Sequence, residues 1–179
     1  MSVHGFVDES CRGPVYMLSV ALVDPADLGR LRRLLRGLLM PGQRELHAKK
    51  EAPQRLRAIV AKIIADGVRA RIYLCRYGAD QEAARQRCLL RLVEDLLDDG
   101  VRRLVLDSRP GRDRHDERTI WAVLGKRPQE SGLTYEHMDS AAEQLLWLAD
   151  VIAWCHGAGS DWRRRIAPAV VRVIDVGVS

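Results

Sequence analysis

The chain has 179 residues, 47% hydrophobic and 30% charged, the balance of one soluble globular domain spanning 1–179 rather than of a disordered segment. No apolar run reaches the roughly 18 residues a membrane helix needs, and the first residues lack a basic segment followed by an apolar one, so the expected compartment is the cytoplasm. Lysine and arginine outnumber aspartate and glutamate 29 to 24, a net charge of +5 that suits a polyanion such as nucleic acid, although heavy arginine usage equally reflects genomic base composition.

The first predicted element is an apolar strand, Val3 to Ser10 (V-H-G-F-V-D-E-S), that ends in the adjacent carboxylates Asp8 and Glu9. Gly13-Pro14 turns it into a second strand, Val15 to Val23, as a hairpin. Asp24-Pro25 then has the form of a helix start, with Leu28, Leu31, Leu35 and Leu38 on one face and Arg30, Arg33 and Arg36 away from it. Gln43 to Lys50 has no clear period and reads as a loop or very short strand. A second helix follows over about Pro53 to Asp66, stopped by Gly67, and Arg69 to Tyr77 alternates as a third, half-buried strand.

Asp80 caps a predicted long helix through Leu97, with Ala84, Cys88, Leu92 and Leu96 as its apolar stripe. A fourth strand, Arg103 to Asp107, ends on an aspartate. The charged stretch Ser108 to Arg118 reads as a loop placed to touch substrate, before a short helix at Thr119 to Leu124. Leu133 to Met138 is the fifth strand, and Ser140 with Glu143 forms a capping box for the helix Leu145 to Cys155, where Asp150 is alone among apolar residues. Asp161 to Val173 reads as a basic helical piece and Asp175 to Ser179 as loose. The four cysteines are widely spaced without a C-x-x-C pair, which fits reduced thiols.

Three apolar elements thus each present one carboxylate, and burying a carboxylate is costly without a partner. A divalent cation is the simplest partner for a cluster of them, since hard oxygen ligands suit magnesium or manganese. Each acid also has a bland reading: Asp8 and Asp107 as the polar starts of turns, Asp150 as an acceptor for a buried backbone group. His4, His137 and the Cys155-His156 pair show no zinc spacing and read as packing.

The order β-β-(α-α)-β-α-β-α-β-α is that of the ribonuclease H fold with a helical insertion. D-E-S at Asp8 to Ser10, E-L-H at Glu45 to His47, L-D-S-R at Leu106 to Arg109 and Q-L-L-W-L-A-D-V-I-A-W at Gln144 to Trp154 resemble the motifs of the domain of unknown function 3800 family, in order over nearly the whole chain. The resemblance implies an α/β, ribonuclease H-like domain: a five-stranded mixed sheet flanked by helices, with the helical insertion between the second and third strands.

It further implies a magnesium- or manganese-dependent nuclease acting on DNA or RNA, with Asp8, Asp107 and Asp150 as catalytic metal ligands. For the fourth acid the family motif points to Glu45, while the helix after the third strand offers Glu82 or Glu94. Glu9, Ser10, His47 and Arg109 are the implied substrate-binding neighbours. Such a set would hold two ions about 3.5–4 Å apart that activate water and stabilise the leaving oxygen of a phosphodiester. A non-catalytic nucleic-acid-binding or adaptor protein on the same fold is the alternative, because fold does not settle function.

Overall fold

In a computed structural model, which describes residues 3–125 and 132–179, one six-stranded sheet carries helices on both faces. Strands β1 (His4–Arg12) and β2 (Val15–Val23) pair antiparallel over their whole length, from His4 opposite Val23 to Arg12 opposite Val15. The two-residue turn between them starts with Gly13 at φ 54°, the left-handed conformation that matches a tight hairpin to the twist of its strands. Strand β3 (Arg69–Arg76) adds antiparallel to β2, while β4 (Arg103–Asp107) and β5 (Thr134–Met138) add in parallel beyond β1.

A sixth strand corrects the expected count. Residues Val170–Val178 form β6, parallel to β3, giving the order β5-β4-β1-β2-β3-β6. The basic helix α6 covers only Ser160–Ile166, a single 3-10 turn at Ala167–Ala169 follows, and the segment expected to be loose is part of β6. Within β6 only Ile174 is buried, so its valines mark an edge strand rather than a core one.

Because side chains alternate along a strand, the sheet divides two cores. Phe6 and Val105 face one, with helices α1 (Leu28–Gly37), α2 (Pro53–Ala65) and α5 (Leu146–Ala158). Val7 and Leu106 face the other, with α3 (Gln81–Asp98) and α4 (Asp113–Leu124). Apart from Asp150 and His156, helix α5 is apolar on every side, and it packs on β1 and β2 as a largely buried helix should. None of the described helices is long and apolar enough to cross a membrane.

Two further local expectations differ. Helix α4 begins at Asp113 instead of Thr119, because the Asp113 carboxylate accepts from Ser108 Oγ (2.6 Å) and Arg109 N (2.8 Å) and folds the charged stretch into a turn. The capping box at Ser140 does not form: Ser140 Oγ donates to Glu45 Oε2 (2.6 Å), while Glu143 binds Arg32 (Nε to Oε1 3.0 Å) and accepts from Leu145 N (3.0 Å). Asp80 does cap α3, accepting from Ala83 N at 3.0 Å. Asp80→Ala is expected to cost about 1 kcal/mol, read from the urea midpoint at unchanged slope.

Candidate active site

Asp8 follows Val7 on β1, and Asp107 follows Leu106 on the adjacent parallel strand; Val7 and Leu106 are register partners. Since Val7 and Leu106 point to the α3 side, the next residues point to the α5 side. The parallel pairing therefore sets two carboxylates next to each other under α5. Asp150, buried in α5, faces the same place, and the loop before α2 completes it. In that loop Leu46 and Ala48 are buried in the α5 core, leaving Glu45 and His47 to turn the other way. All four acids, with Glu9, His47 and Lys50, line one cleft of about 320 Å³.

The electrostatics are those of crowded negative charge. Burial raises the Asp8 carboxyl well above its ordinary range, and the charges of Asp150 and Asp107 raise it further, against the opposing pull of Arg85. Asp107 is pushed up to about 6 by burial first, then by Asp139 and Asp150. Asp150 is partly satisfied within the chain. Its Oδ2 accepts from Ala48 N at 2.7 Å, both of its oxygens lie 3.1 Å from His47 Nδ1, and that contact raises the His47 pKa. The carboxylate thereby ties the inserted loop to α5, which is also the bland role foreseen for it.

Glu45 is held by Ser140 and lies 3.8 Å from Lys50 Nζ. Among the described residues no three His, Cys, Asp or Glu side chains stand in a geometry ready to hold an ion. The donor set nevertheless fits a hard cation: it is all carboxylate, it sits in one cleft, and among the described residues neither Asp8 nor Asp107 is in an ion pair that would relieve their mutual repulsion.

The remaining predicted residues fall elsewhere. Of the other candidates for the fourth acid, Glu82 binds Arg109 at 3.3 Å and lines a separate groove with Arg112, and Glu94 lies farther along α3; neither lines the cleft. Glu9 borders the cleft, but its carboxylate accepts from Tyr16 Oη (3.0 Å) and from Arg85. Ser10 lines an adjoining groove. Arg109 points inward to Glu82 and Asp116, with its Nε buried and without a hydrogen-bond partner.

Sequence reasoning missed the group behind the acids. Arg85, on the buried side of α3, grips Asp116 with two 2.7 Å bonds and reaches Glu9 and Tyr16 Oη (2.9 Å). His137 Nε2 and Arg109 Nη2 each lie 3.2 Å from the same aspartate. The signal was present: Arg85 precedes Leu89 and Val93 by one and two helical steps of four, so it falls on a buried stripe wider than Ala84 to Leu96 suggested.

No family model matches the chain, and no curated protein sequence does. A solved structure, the PCNA:RNase HII complex from Archaeoglobus fulgidus, is similar with a TM-score of 0.55 at 17% identity, covering 92% of this chain and 75% of that one. At that identity the likeness is one of fold, and the fold here is ribonuclease H-like.

Proposed function

We propose that the protein is a divalent-metal-dependent nuclease-like hydrolase of phosphodiester bonds in nucleic acid. One observation carries the reading: Asp8, Glu45, Asp107 and Asp150, from four separate segments, line a single cleft of a ribonuclease H-like domain. These four residues would hold magnesium or manganese, which when bound supplies charge neutralisation and a more acidic water at the phosphodiester. Asp8 and Asp107, fixed by paired strands, define the floor of the site. Glu45 and Asp150 form its wall, and Asp150 keeps the loop carrying His47 in place. His47, half-buried with its proton favoured by Asp150, is positioned to donate to a phosphate oxygen.

The test is a titration of magnesium or manganese with single-stranded, duplex and hybrid substrates, read as cleavage. Cleavage that rises with metal and vanishes in EDTA is expected. Activity indifferent to metal, or a protein that binds none, overturns the reading. A second reading, a non-catalytic nucleic-acid-binding protein, is favoured by the internal satisfaction of Asp150 by Ala48 and His47. It predicts salt-dependent binding with no cleavage at any metal concentration.

A further inference from the structure

Beside the acidic cleft runs a second groove of about 500 Å³, which shares Glu9, His47 and Asp150 with it and continues to Arg12, Lys49 and Trp154. We propose that Arg12 and Lys49 form a phosphate-binding subsite there, which takes a neighbouring phosphodiester of the same nucleic-acid strand whose backbone lies over the carboxylates. This rests on the nuclease reading above and adds to it the path of the strand.

Arg12 is held as though its position matters. It ends β1, and its guanidinium lies 5.1 Å from the centroid of Trp154 on α5. Its stem crosses the helix at Gly157, one turn beyond Trp154: a Cβ there would stand 3.0 Å from Arg12 Cγ and would also collide with Met17. Trp154 is braced edge-on by Trp162 (5.6 Å, 77°), and Trp162 is covered in turn by Arg57 (5.7 Å). Residues of α5, α6 and α2 therefore fix one exposed cation at the end of β1.

The Arg12 guanidinium, in cation–π contact with Trp154, makes no hydrogen bond or ion pair among the described residues, and its planar fork can meet a phosphate with two parallel bonds. Among the described residues neither Arg12 nor Lys49 is in an ion pair, whereas Lys50 faces Glu45 and Arg32, Arg55, Arg85 and Arg109 are all occupied by carboxylates. The placement answers an electrostatic need as well. A polyanion entering a cleft of four acids is repelled, and cations alongside hold it in register without reading its bases.

The experiment measures binding of a fluorescein-labelled oligothymidylate against sodium chloride concentration, in calcium buffer, for wild type, Arg12→Gln, Arg12→Lys and Lys49→Gln, with melting temperature as the folding control. Arg12→Gln is expected to bind about tenfold more weakly at low salt and to lower the slope of log affinity on log salt by about 0.7, the share of one single-strand phosphate contact. Lys49→Gln lowers the slope similarly. Arg12→Lys keeps the slope but recovers only part of the affinity, since an ammonium lacks the fork. Arg12→Gln with wild-type affinity and slope would overturn the subsite and leave the nuclease reading standing; a wild type that binds no strand would overturn both. Competition by inorganic phosphate at equal total phosphate would reassign the pair to a free anion, against the proposal.

Discussion

Asp107→Asn is expected to be more stable than wild type without metal and to lose metal-dependent cleavage. The two effects share a cause. Asp107 titrates at about 6 in the folded chain against an ordinary 3.8, because burial and the charges of Asp139 and Asp150 oppose its ionisation. A carboxyl raised in this way contributes nothing below 3.8, where it is protonated in both folded and unfolded chains. Destabilisation grows between 3.8 and about 6 and is fully present above, amounting to about 1–2 kcal/mol because solvent screens part of the charge of this half-buried group. In EDTA the wild type should therefore melt lower at pH 7.5 than near pH 5, and Asp107→Asn should remove the share carried by Asp107 while the raised Asp8 carboxyl keeps its own. Added magnesium or manganese should raise the wild-type melting temperature and leave the variant's nearly unmoved. Cleavage by the variant should fall by more than the 10–100-fold typical of losing an outer-shell partner. A wild type whose metal-free stability is flat from pH 5 to 7.5 would refute the account.

Arg85→Met is expected to be the most destabilising single change near the site, by about 3–5 kcal/mol at pH 7.5 in urea unfolding. The side chains of Arg85 and Asp116 are 2% and 1% exposed, so losing the arginine leaves a buried carboxylate that keeps His137 and Arg109 as its partners among the described residues. Arg85 and His137 hold the Asp116 carboxyl well below its ordinary range despite burial. A group depressed in this way contributes stability above 3.8 that is lost as pH falls through its folded value, so the wild type should weaken in acid and Arg85→Met should have lost that contribution already. The double variant Arg85→Met/Asp116→Leu should recover much of the loss, since a buried pair adds little over well-packed apolar groups. No recovery would mean that Glu9 and Tyr16, also held by Arg85, carry the greater share.

These two residues mark where the sequence is legible. Asp107, like Asp8 and Asp150, closes or interrupts an apolar run, and a charge that breaks a hydrophobic pattern can be seen without coordinates. The first five strands were legible for the same reason, each being an uninterrupted or alternating apolar burst. Arg85 lies among helical residues where charge is ordinary, and only the approach of α4 and β1 makes it a buried cation. Arg109 misled in the opposite sense: a polar stretch after an aspartate suggests contact with substrate, yet Glu82 and Asp116 inside the chain claim it. Strand β6 alternated valine with arginine and aspartate, as a half-buried strand does, but it follows the basic residues of α6 after a single 3-10 turn and was absorbed into them.

That last strand leaves its mark on the surface. Val171, Val173 and Val178 are 42%, 45% and 64% exposed on an outer rim whose backbone has a neighbour on one side only. A flat valine-rich rim is a template on which other polypeptides can polymerise. Here the pairing slips twice, between Ala70 and Arg71 and between Leu74 and Arg76, while Arg172, Asp175 and a left-handed Gly177 interrupt the valines. The irregularities that hid the strand from pattern reading are the ones that discourage fibrous self-association.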